Sequence, residues 1–149
     1  MKKFFSCLIM SVFVSLTIYA QSSEQLSEIL KSPAATAGQA SYLAAVYANE
    51  IGDDDSEEQA FEALQKKGLF SDELTADSEV TLAQVSYVYM QVLGLKGGLF
   101  YTLFPSERYA FKELKAQGIL PKEADPSMKM TGRDSIDIFN TCLDLTGDK

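Results

Sequence analysis

Residues 60–93 and 110–143 are two versions of one pattern, related by a constant offset of 50 with no gap. Ala60-Phe61 meets Ala110-Phe111, Leu64 meets Leu114, and Gly68 meets Gly118. Leu69-Phe70 meets Ile119-Leu120, Thr81 meets Thr131, and Val88-Tyr89 meets Ile138-Phe139. A partial third copy lies upstream, where Thr36-Ala37-Gly38-Gln39-Ala40-Ser41-Tyr42 parallels Thr81-Leu82-Ala83-Gln84-Val85-Ser86-Tyr87. A repeat of this length implies supersecondary units that cannot bury their apolar faces alone and must stack around a shared core.

Each full copy has the pattern helix, loop, helix. Phe61 and Leu64, like Phe111 and Leu114, have the three-residue spacing of a buried helix face. Gly68 and Gly118 stand where a left-handed C-terminal cap needs a residue without a Cβ. The second helix opens on a threonine. Thr36-x-x-Gln39 and Thr81-x-x-Gln84 fit the reciprocal capping box, and Thr131-x-x-Asp134 is a shorter variant. Behind each box runs one apolar stripe at helical spacing. The stripes are Ala40, Leu43, Ala44, Tyr47 and Ala48; Val85, Val88, Tyr89, Val92 and Leu93; and Ser135, Ile138, Phe139, Cys142 and Leu143. Gly52, Gly94 and Gly147 close these helices or lie just beyond them. The expected fold is all-α: a small bundle of about two and a half helix–loop–helix units. They comprise a partial unit over about 22–52 and full units over about 56–94 and 106–146, within one domain over 21–149.

From residue 36 to 146 the pattern resembles the S-layer homology (SLH) domain. The resemblance lies in the helix, glycine, irregular loop and second helix, and in the opening of that helix. There the family's Thr-Arg-Ala-Glu signature corresponds to Thr36-Ala37-Gly38-Gln39, Thr81-Leu82-Ala83-Gln84 and Thr131-Gly132-Arg133-Asp134. The resemblance implies a pseudo-threefold bundle of three units and attachment to cell-wall glycans. The family's ligand arginine follows the threonine. Ala37, Leu82 and Gly132 occupy that place, which leaves Arg133 as the nearby candidate ligand position.

The N-terminus has the layout of a secretory signal peptide over residues 1–20. Lys2 and Lys3 precede the uncharged apolar run Phe4–Tyr19, and Ala20 precedes the polar run Gln21-Ser22-Ser23-Glu24. Cleavage after Ala20 would leave no stable membrane anchor and would place the protein in the periplasm or cell envelope. Cys7 sits too early in the apolar run for lipidation. Cys142 is then the lone cysteine of the mature chain, so no internal disulfide supports the fold.

Lys plus Arg total 13 against 21 Asp plus Glu, a net charge of -8, and the basic residues are scattered. Such a surface repels phosphate backbones, so nucleic acid is not an expected partner. The chain contains no histidine, which removes Ser-His and Cys-His nucleophile pairs and His-containing metal sites. Paired carboxylates remain chemically possible, but none sits in an apolar setting that would raise its pKa. The run Asp53-Asp54-Asp55-Ser56-Glu57-Glu58 is acidic enough for calcium but lacks the glycine and closing glutamate of an EF-hand loop. It reads as a solvated linker leading into acids in a helix's first turn. No catalytic, metal or cofactor site is expected.

One connection is unusual. Leu99, Phe100, Tyr101, Leu103 and Phe104 follow the Gly97-Gly98 pair, with Arg108 close behind, where loops normally carry few large apolar groups. Either this segment folds under the bundle and fills it, or it forms an aromatic patch that docks a partner. In the second case Leu99, Phe100, Tyr101, Phe104 and Arg108 are the candidate contact residues. The expected function is non-enzymatic interaction or scaffolding in the bacterial envelope with a protein partner. The alternative is SLH-type binding of peptidoglycan or another wall polymer.

Overall fold

A computed structural model describes residues 23–147. The expected signal peptide lies outside the described residues. The described chain is all-helical: α1 (residues 23–31), α2 (Ala37–Tyr47), α3 (Glu57–Lys66), α4 (Leu82–Val92), α5 (Leu99–Leu103), α6 (Glu107–Ala116) and α7 (Gly132–Gly147). No strands occur among the described residues, only two isolated bridges, Thr36 with Glu79 and Thr81 with Lys129.

The helix starts are built as the capping residues dictate. The hydroxyls of Thr36, Ser56 and Thr81 each accept from the backbone N–H three residues on, and Gln39, Gln59 and Gln84 reach back to the cap N–H. Thr131 and Asp134 make the same reciprocal pair at 3.1 and 3.0 Å. The box at Ser56 and Gln59 has the same three-residue spacing but opens on serine instead of threonine. Gly68 and Gly118 take φ of 74° and 79°, and Leu69 and Ile119 fold back to donate to the carbonyls of Leu64 and Leu114. Gly94 takes φ of 61° beyond α4. At the end of α2 the left-handed position falls to Asn49 (φ 55°), not to Gly52. Asparagine tolerates this conformation better than most side chains do. Gly147 is the last described residue of α7 and does not end it by a left-handed turn.

The repeat extends into the tertiary hydrogen bonds. Ala37 and Gly38 donate to the carbonyls of Ser78 and Ala76 in the next unit's loop. Leu82 and Ala83 donate in the same way to Met128 and Pro126. Gly132 closes the circle by donating to Ser32 of the first unit. At the centre the residues before the three cap threonines converge. Ala35 donates to the Met130 carbonyl, Val80 donates to the Ala35 carbonyl, and all three side chains are buried. Gly132 is needed at this closure, because a Cβ there would lie 1.8 Å from the Ile29 carbonyl oxygen.

Packing follows this circular plan. α2, α4 and α7 contact one another, while α3 packs on α2 and α6 packs on α4. The tightest helix pairs therefore join one unit to the next. Phe139 sits edge-on to both Tyr89 (4.9 Å) and Tyr47 (6.0 Å) where the three inner helices meet. The Tyr89 hydroxyl is paired with Ser135 at 2.7 Å, so its burial leaves no orphan polar group.

The stripes are buried where the bundle is thick and emerge where it ends. Val85, Val88, Tyr89, Ile138, Phe139 and Cys142 are buried, whereas Val92 and Leu143 are half-buried and Tyr47 is exposed. The last helical turns project past their neighbours. α2 is more than amphipathic, with Ser41, Tyr42 and Ala45 also buried, because neighbours surround it.

Candidate functional site

The connection after α4 is not an irregular loop. Gly94 ends α4, and Leu95 turns in and is buried. At Gly97 the chain passes so close to α5 that a Cβ would lie 2.7 Å from Tyr101 Cδ1 and 2.9 Å from its Cβ. Gly98 then caps α5, and Thr102 Oγ1 donates to the carbonyls of Gly97 and Gly98 at 3.3 and 3.1 Å.

Five residues of helix give α5 two faces. Tyr101 points inward, is 5% exposed, and accepts from Gln91 Nε2 at 2.9 Å. Burial raises its pKa above the ordinary tyrosine value, against the opposing effect of the Gln91 hydrogen bond. Leu99, Phe100 and Leu103 lie elsewhere around the helix, and Phe104 is its C-cap. They are 69, 62, 58 and 64% exposed. The expected candidate set thus divides. Leu99, Phe100 and Phe104 are on the surface, Leu103 joins them, and Tyr101 is corrected to a buried anchor. The space-filling alternative holds for Tyr101 alone.

The patch is extended by its neighbours. Phe100 stacks on Tyr109 of α6, with centroids 5.9 Å apart and planes at 14°. Lys112 Nζ lies 5.8 Å from the centroid of the same tyrosine ring. Arg108 is exposed one residue before Tyr109 and lines a cleft with Lys112, Glu107, Phe111, Ala83 and Pro126. Glu113 lies over the Gly97–Gly98 backbone. Partial burial raises the pKa of Glu107, and that of Glu57 as well, which corrects the expectation that no carboxylate sits where its pKa would rise.

A second apolar surface gave no signal in the sequence. It is a groove of about 390 Å³ between the loop after α6 and the side of α7. Leu82, Ile119, Leu120, Met128, Met130 and Ile138 form its apolar walls, and Glu123, Asp134 and Asp137 line it as well. Apart from Leu82 its lining falls within residues 119–141, but it combines an irregular loop with one side of α7, so no helical period displays it.

Arg133 is exposed on the first turn of α7, apart from the α5 residues in sequence and sharing no described cleft with them. Ala37, Leu82 and Gly132 are buried packing positions. Cys142 is fully buried, and burial pushes its thiol up to about 12. The acidic run forms a turn, with the Gly52 N–H donating to Asp55 Oδ2 at 2.8 Å, and then the first turn of α3. Burial raises the pKa of Glu57 there, helped by the charges of Glu28 and Asp77. No cluster of three or more His, Cys, Asp or Glu able to hold a metal occurs among the described residues. Compared with known proteins, the chain matches no family model, no curated protein and no solved structure.

Proposed function

We propose that this chain is an exported, non-enzymatic interaction domain of the bacterial cell envelope that docks a protein partner through α5. The supporting observation is the orientation of that helix. Its one buried aromatic anchors it, and Leu99, Phe100 and Leu103, with Phe104 at its C-cap, are exposed. Burying such a side chain stabilises by roughly 1.5–3 kcal/mol, so a partner that covers all four has a substantial driving force to draw on. Exposed contiguous apolar patches of this kind mark interaction sites. Export rests on the lysine pair, apolar run and Ala20 of the leader. The absence of histidine supports the non-enzymatic assignment.

The test replaces Phe100 and Phe104 by serine and measures partner capture beside thermal unfolding. Loss of capture with unchanged melting supports docking. Loss of both in proportion, or of neither, overturns it. Mass spectrometry of the protein from its host tests export, with a mature N-terminus near Gln21 expected and an intact Met1 counting against it.

A second reading, SLH-type attachment to a wall polymer, is favoured by the circle of hydrogen bonds that joins the three units. Against it, the positions after the cap threonines are packed and not free to hold a ligand. Saturable retention on purified sacculi, abolished by Arg133→Ala, would favour the polymer over a protein partner.

A further inference from the structure

The groove beside α7 opens where the last unit has smaller side chains than the middle one. At the offset of 50, Phe70, Leu74 and Tyr87 correspond to Leu120, Ala124 and Asp137. In the middle unit Phe70 belongs to the core, and Leu74 and Tyr87 pack against it. In the last unit the three smaller residues line a groove of about 390 Å³. The walls left behind are apolar, from Leu82, Ile119, Met128 and Ile138, and Met128 is 49% exposed. A methionine makes an adaptable wall, because its unbranched thioether chain fits many shapes.

The same exchange changes the charge. Asp134 and Asp137 stand where the middle unit has Gln84 and Tyr87, and Glu123 lines the groove with them. Asp134 is held by Thr131 in the cap of α7. Glu123 and Asp137 are exposed, and their carboxylates form no hydrogen bond or ion pair among the described residues. The one cation of the lining, Lys129, donates to the Glu79 carbonyl at 2.7 Å. Apolar walls therefore lie beside two unpaired carboxylates.

We infer that the groove binds a basic peptide segment of another protein. A large apolar side chain of that segment takes the place that Phe70, Leu74 and Tyr87 fill in the middle unit, and a neighbouring Lys or Arg meets Asp137 and Glu123. The apolar residue supplies most of the affinity, and the cation fixes orientation and speeds encounter. The net charge of -8 attracts a basic partner at longer range. No residue of α5 lines the groove, so the inference stands apart from the reading of α5 as a docking surface.

The experiment follows labelled, end-capped peptides by fluorescence anisotropy with the full chain as its host produces it. The probe is Lys-Phe-Lys-Leu-Lys, and the controls are Glu-Phe-Glu-Leu-Glu and Lys-Ser-Lys-Ser-Lys. Only the probe should bind saturably, and salt should weaken it. Asp137→Lys should weaken the probe roughly tenfold or more, the size of a hot-spot loss, and should improve binding of the acidic control. Its melting should not change, since the residue is exposed. Ala124→Leu restores the side chain of the middle unit and should abolish binding by occupying the groove. If that variant melts early, Asp137→Tyr fills the same space from an exposed position. Failure of the probe to bind, equal binding of either control, or binding that the Asp137 changes do not move overturns the inference. Binding lost in Phe100→Ser would put the peptide on α5, with the same consequence. Sedimentation velocity without peptide tests for a second copy: self-association abolished by Asp137→Tyr assigns the groove to that copy and also overturns it.

Discussion

Residues 48–56 and residues 93–106 do the same topological job. Each leads from the inner helix of one unit to the outer helix of the next, α2 to α3 and α4 to α6. The first is short and polar. Asn49 turns the chain, Tyr42 donates to the Asp53 carbonyl at 2.7 Å, and Asp55 closes the turn on Gly52. The second is five residues longer, the length of α5 itself. That insertion explains why the cap threonines of the first two units are closer in sequence than those of the last two. The clefts beside the two connections also differ in charge through substitutions in the outer helices: Glu57, Glu58 and Asp77 line the first, whereas Arg108 and Lys112 stand with Glu107 in the second. A repeat can therefore hold its core and caps constant while one connection diverges. The divergent connection is the place to look for function, because the fold does not require its length.

The comparison breaks first at Tyr101. It is the buried anchor of the longer connection, so Tyr101→Ala should cost about 3 kcal/mol or more, as buried aromatic truncations do. Chemical denaturation measures this, and a cost near zero would mean α5 is not held to the bundle. Gly97→Ala should follow at about 1–3 kcal/mol, because the added methyl meets Tyr101 close to its own Cβ, where the ring cannot swing away. A neutral result would show that the connection shifts freely.

Smaller effects sharpen the contrast. Ser56 ends the polar connection with a full capping box, whereas Ser106 ends the apolar one with no side-chain cap bond. Ser56→Ala should cost about 1 kcal/mol and Ser106→Ala only a few tenths, read from the two melting curves. Equal costs would deny the difference in local construction. Smallest of all, Phe100→Ala and Phe104→Ala should leave stability within about 0.5 kcal/mol, since both rings are exposed. A cost of about 3–5 kcal/mol for either would place it in the core.

Much of this was legible because it is local. The capping boxes at Thr36, Thr81 and Thr131 depend on residues three apart. The left-handed turns at Gly68 and Gly118 depend on a missing Cβ. The stripes depend on helical period, and burial is incomplete at their ends, at Tyr47, Ala48, Val92, Leu93 and Leu143, where exposure depends on how far a neighbouring helix reaches. In α5 the apolar density was visible, but five residues contain too little period to say which side faces in. Sequence alone therefore groups the buried Tyr101 with its exposed neighbours. The groove is not legible in the sequence, since its walls combine an irregular loop with one side of α7 and the side chain of Leu82.

The sequence by itself determined the helical units, their starts and stops, the acidic surface and the lack of histidine chemistry, because each follows from residue type at short range. Only the tertiary structure decided that units clasp their successors in a closed circle, that Gly132 must be bare against Ile29, and that α5 turns its apolar face outward. Those outcomes depend on which surfaces meet across distant stretches of chain. Pairing of that kind is selected by the whole packed core and not by any one window of residues.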